Sequence, residues 1–123
     1  MQNGRMENLM RTKMRALCRV AEIPENGAKG FPGTEGAFTS LVAIRQGDQV
    51  YVYENACPHI GTPLDWTPNR FLSADGRYLI CATHGAQFTI ATGTCISGPC
   101  RGDQLTPVRV VIQDGFIHVP RGG

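Results

Sequence analysis

Several large classes of protein are excluded by what this sequence has little of. No apolar run approaches the roughly 18 residues needed to cross a bilayer, so no membrane span is expected. Charged residues make up only 18% of the chain and the net charge is +2, which leaves no basic surface of the kind that wraps nucleic acid. The first residues carry Arg5, Arg11, Lys13, Arg15 and Arg19 against Glu7 alone, yet they have no continuous apolar core and no twin-arginine pair. They do not read as a secretory signal, and a cytoplasmic location is expected. Nothing repeats at a fixed period. Histidine is scarce, with three in 123 residues, and a chain of that length is expected to form one domain.

Turn formers, by contrast, are plentiful. Fifteen glycines and 8 prolines break the chain into short β-branched and aromatic runs. Strands are expected at Ala16–Val20, Phe38–Arg45, Val50–Tyr53, Arg77–Ile80, Gln87–Ile90, Val108–Ile112 and Phe116–Val119. Gly47-Asp48 and Asp114-Gly115 are two-residue hairpin signals, the second suited to a type I′ turn. Val50 and Val52 alternate with Tyr51 and Tyr53, as in a strand with one exposed face. The pattern predicts an all-β sandwich or small barrel over 15–123, preceded by a basic leader, 1–14, that is flexible or a short helix with Met6, Leu9, Met10 and Met14 near one face.

Two of the three histidines stand close to cysteines, in Cys57-Pro58-His59 and Cys81-Ala82-Thr83-His84. Each pair falls in a loop between predicted strands, Cys57–Leu64 and Cys81–Phe88, so two loop tips converge if the flanking hairpins are neighbours. Two thiolates and two imidazoles suit either a tetrahedral zinc site, stapling an interaction module, or a [2Fe–2S] cluster with cysteines on one iron and histidines on the other. Without an export signal, five cysteines are expected to be metal ligands or thiols rather than a disulfide framework.

The run C-P-H-I-G-T-P-L, followed by C-A-T-H-G-A-Q-F, Thr92-Gly93 and Ser97-Gly98-Pro99, resembles the Rieske [2Fe–2S] family over roughly Leu17 to Val119. The resemblance implies the Rieske fold: a β-sandwich base domain with a two-loop cluster-binding lobe inserted after Val50–Tyr53. It implies one [2Fe–2S] cluster per chain, with Cys57 and Cys81 on the buried iron and His59 and His84 on the outer iron. Gly61 and Gly85 are expected to take positive φ and bring backbone N–H groups towards the sulfides. Pro99 belongs to a third loop that covers the cluster. The 21 residues between the motifs exceed the family's usual spacing, with the excess in Asp65–Asp75.

High-potential respiratory members of the family carry Ser and Tyr at the second and fourth residues after the final histidine ligand. Ala86 and Phe88 stand there instead, and neither side chain donates a hydrogen bond. Those members also link their ligand loops by a disulfide, at the positions of Thr62 and Thr83. With two histidine ligands the oxidised centre is neutral and the reduced one carries −1, and the missing donors place its potential low, about −150 mV. The resemblance is greatest to small soluble Rieske ferredoxins of bacterial ring-hydroxylating dioxygenase systems. It implies transient partners, a flavoprotein ferredoxin reductase and a terminal oxygenase. The alternative is a Rieske subunit of a larger oxidoreductase, such as a nitrite reductase small subunit.

Once His59 and His84 are assigned, only His118 remains, too few for the two-histidine, one-carboxylate iron site of an oxygenase. An electron carrier without catalytic residues is therefore expected. His118 reads as an ordinary strand residue and Cys18 as a packed thiol. Cys95 and Cys100, flanking Ile-Ser-Gly-Pro, are expected to be thiols, with a local disulfide as the alternative. Trp66 and Phe71 suggest a satellite core beneath the long connection.

Overall fold

The computed structural model describes residues 14–33, 40–56, 58, 64, 71–81 and 85–120. Ten strands follow in chain order: β1 (Met14–Arg19), β2 (Ala28–Phe31), β3 (Leu41–Gln46), β4 (Gln49–Glu54), β5 (Tyr78–Ile80), β6 (Gln87–Thr89), β7 (Cys95–Ser97), β8 (Pro107–Val108), β9 (Val111–Gln113) and β10 (Phe116–Pro120). They form three antiparallel sheets, β1-β10-β9, β2-β3-β4-β8 and β5-β6-β7. No helix among the described residues is long and apolar enough to cross a membrane.

The sheet β2-β3-β4-β8 contributes to two cores, one on each face. Leu41, Val42, Ala43 and Ile44 are all buried, although successive side chains of a strand point to opposite faces. Val42 and Ile44, with Tyr53 of β4, pack with Leu79, Phe88 and Cys95 from the β5-β6-β7 sheet. Leu41 and Ala43, with Val52, pack with Cys18, Ile117 and Val119 from the β1-β10-β9 sheet. The continuous apolar run of β3 follows from cover on both sides. Cys18 is the packed thiol expected; burial, then nearby Glu22, pushes its pKa up, with Lys29 opposing.

The β5-β6-β7 sheet lies in sequence between β4 and β8, so it belongs to an insertion in the base. Its two stems are neighbours: Val52 pairs with Val108, Tyr53 with Pro107, and the Glu54 N–H donates to the Thr106 carbonyl at 2.9 Å. The base sandwich and inserted lobe match the Rieske expectation.

Several local expectations are corrected. The tyrosine face of β4 is not exposed: Tyr53 is buried and Tyr51 half-buried, because the inserted lobe covers that side. Val108–Ile112 is not one strand. Pro107–Val108 pairs with β4, whereas Val111–Gln113 pairs with β10, and Arg109-Val110 carries the chain from one sheet to the other. Met14, assigned to the leader, is the first residue of β1 and pairs with Pro120; residues 1–13 lie outside the described residues. The Asp114-Gly115 hairpin is as expected, both residues having the positive φ (54° and 78°) of a type I′ turn.

Candidate metal centre

Strand β5 runs directly into Cys81, whose side chain is fully buried. The Cys81 N–H donates to the Ala86 carbonyl at 2.9 Å, and the Gly85 N–H donates to the Cys81 carbonyl at 2.8 Å. These two bonds close the hairpin loop at its root and fix the cysteine backbone. Gly85 has φ +67°, the left-handed value expected of it.

The first motif is anchored by Asn55, at the end of β4. Its side-chain Oδ1 accepts from the Leu64 N–H at 2.7 Å, while its Nδ2 donates to Ser40 Oγ at 3.2 Å and its backbone N–H to the Ser40 carbonyl at 2.8 Å. One amide thus ties together the start and finish of the segment containing Cys57, His59 and Gly61. Asn55 and Leu64 are both buried. Leu64, Cys81, Ala86, Phe71 and Leu79 belong to one apolar cluster, so the roots of both motif loops enter a common core.

The third loop closes on this assembly. β6 and β7 pair through Gln87 with Ser97 and Phe88 with Cys95, leaving Ile96 as a bulge. Gly98 then packs against the second loop; a Cβ there, built on φ +105°, would lie 2.8 Å from Ala86 Cα. Only glycine tolerates that approach. Ala86 and Phe88, which stand where high-potential members of the family carry donors, are both fully buried.

Of the predicted site residues, Cys81, Gly85 and Pro99 are among those described, with Pro99 exposed beside Gly98. Cys57, His59, Gly61 and His84 lie outside the described residues, as do Thr62, Thr83, Trp66 and the 65–70 part of the long connection. The remainder of that connection packs down, with Phe71 buried in the first core and Leu72 bridged to Leu79. His118 is half-buried in β10, opposite Ala16 and Val111, in a different sheet from the motif hairpin. Asn55 was not anticipated as an anchor. Its signal was a short amide at a strand end, two residues before the first motif's cysteine.

A model of the Rieske [2Fe-2S] domain matches residues 13–112. The chain belongs to the Rieske [2Fe–2S] domain family. A Rieske domain binds a [2Fe–2S] cluster, which sets aside the zinc reading. The donor chemistry of the described residues fits that group, because a sulfur buried at a loop root and shielded from water is the soft ligand such iron takes.

Solved structures similar to this Rieske domain include ferredoxins. A chain of the complex of reduced oxygenase and oxidized ferredoxin in carbazole 1,9a-dioxygenase is 26% identical, with TM-score 0.71, over 89% of this chain and 94% of that one. The Sphingomonas yanoikuyae B1 ferredoxin is 26% identical, with TM-score 0.67, over 88% and 98% respectively. The ferredoxin of carbazole 1,9a-dioxygenase from Nocardioides aromaticivorans IC177 shares the fold at 22% identity and TM-score 0.71, over 89% and 99%. Among curated proteins there is no match.

Proposed function

We propose that this Rieske domain is a ferredoxin that carries single electrons from a flavin-containing ferredoxin reductase to a terminal oxygenase. Cys57 and Cys81 are assigned as ligands of the inner iron, His59 and His84 as ligands of the outer iron. Bound there, the cluster supplies a one-electron couple. The observation that carries the reading is the common root of the loops: Asn55 ties the first loop at Leu64, and Leu64 shares a core with Cys81 and Ala86 at the root of the second. The likeness to ferredoxins of dioxygenase systems supports the choice of partners.

The chain's own residues have three tasks. Cys81 and its closed hairpin loop present a sulfur from the buried side. Asn55 holds the first loop in register with it. Gly98 and Pro99 bring the third loop over the second. An imidazole edge at a loop tip is the natural exit for the electron, because it meets a partner while the sulfurs stay covered.

Anaerobically purified protein is expected to be brown, with iron and sulfide in equal amounts, and to develop an anisotropic EPR signal on dithionite reduction. With a ferredoxin reductase and a Rieske oxygenase it should support NAD(P)H-dependent oxygen uptake. An EPR-silent reduced protein, or oxygen uptake that is indifferent to its presence, overturns the assignment. Cys81→Ser is expected to abolish iron retention.

A further inference from the structure

The third loop contains a pair of thiols that the electron-transfer role does not use. Cys95, in β7, and Cys100, in the following turn, have their sulfurs 2.9 Å apart. Both are 2% exposed and in thiol form, whereas residues 96–99 and 101–104 are exposed on either side of Cys100. A disulfide requires about 2.05 Å between sulfurs, so closure needs a movement of less than about 1 Å. The backbone already holds the pair in register. The Cys95 N–H donates to the Asp103 carbonyl at 2.8 Å, the Gly102 N–H to the Cys95 carbonyl at 3.1 Å, and the Asp103 N–H to the Cys100 carbonyl at 2.8 Å.

We propose that Cys95 and Cys100 form a reversible disulfide that clasps the third loop against the second. Their positions differ from those of Thr62 and Thr83, and the chemistry does not depend on bound iron. The oxidant is a small disulfide of the glutathione class. Once the exposed turn around it opens and its thiol releases a proton, Cys100 attacks one sulfur of the small disulfide; the S–S bond breaks, a mixed disulfide forms, and the small thiolate that leaves takes up that proton. Cys95 then attacks the Cys100 sulfur, the mixed bond breaks, and a second small thiol leaves with the Cys95 proton. Two protein thiols have lost two electrons and two protons, and one small disulfide has gained them.

The consequence is local. The covalent ring from 95 to 100 encloses Gly98, the residue seated on Ala86, so oxidation stiffens the cover over the loop that begins at Cys81. Reduction returns a turn held by hydrogen bonds, those of its backbone and those of the two thiols, with no covalent link.

The test uses the anaerobic holoprotein, equilibrated in glutathione buffers of stepped oxidised-to-reduced ratio, then quenched by alkylation in denaturant and mapped by mass spectrometry without reduction. Expected is joint loss of alkylation at Cys95 and Cys100, a linked 95–100 peptide lighter by two hydrogen atoms, and reversal by dithiothreitol. In Cys95→Ser, which lacks the second thiol, glutathione should remain attached to Cys100. In the unmutated protein, amide exchange at Gly102 and Asp103 should slow on oxidation while the visible absorption of the cluster persists. Alkylation at both cysteines throughout the series, a link from either to Cys18, or unchanged exchange at Gly102 and Asp103 overturns the clasp. None of these readouts depends on electron delivery to a partner.

Discussion

Tyr53 illustrates how one side chain joins the two parts of the molecule. It stands on β4 of the base, and its hydroxyl donates to the Ile90 carbonyl in the inserted lobe at 2.5 Å. Burial, and secondarily Tyr51, pushes its pKa up to about 12 from the usual 10. A raised pKa means that the unfolded chain loses this proton first as pH climbs. Stability from Tyr53 is therefore intact below pH 10 and declines as pH rises from about 10 to about 12. Tyr53→Phe is expected to cost about 1 kcal/mol at neutral pH and to flatten that alkaline decline, as read from urea unfolding at stepped pH. Asn55→Ala strands the buried Leu64 N–H, costs about 1–3 kcal/mol, and should hasten loss of cluster absorbance to a chelator. Asn55→Asp, which keeps the acceptor, should restore most of that retention. Ala86 and Phe88, both buried in the first core, bear also on potential. With no side-chain donor at either position, protein-film voltammetry is expected to give a value near −150 mV, and one above about +100 mV contradicts the argument.

At the scale of elements, legibility followed local chemistry. The hairpins at Gly47-Asp48 and Asp114-Gly115 were plain because a dipeptide dictates each turn, and β5 and β6 because short apolar runs bracket the second motif. β2, β7 and β8 were not. Ala-Lys-Gly-Phe has no alternating apolar pattern, Cys95–Ser97 contains a bulge, and Pro107–Val108 opens on a residue that cannot donate to the ladder. The cysteine–histidine pairs were readable from spacing alone, whereas the contacts that position their loops, the Asn55–Leu64 hydrogen bond and the packing of Gly98 on Ala86, join separate segments that no spacing motif links. Gly98→Ala should therefore be disproportionately harmful for a loop substitution. Its methyl would fall 2.8 Å from backbone of the second loop at a φ that side chains avoid. The expected cost is about 1–3 kcal/mol in thermal unfolding, with faster amide exchange at Ala86.

On the scale of the molecule, the central sheet separates two apolar clusters that share no members among the described residues. Ile44 belongs to the first and Ile117 to the second. Trimming each to valine should cost about 0.5–1.5 kcal/mol, and the double variant should match the sum within about 0.5 kcal/mol in denaturant titration. A larger discrepancy would mean that the sheet transmits repacking from face to face. The stems at Glu54 and Thr106 carry one more consequence. Because they emerge side by side, the intervening stretch resembles a cartridge: another of different length should fit the same socket, provided that it covers the same apolar face. Removing it outright is another matter. Val42, Ile44 and Tyr53 would then form a bare greasy floor on which copies of the stripped base would clump, so such a redox head is exchangeable but not dispensable.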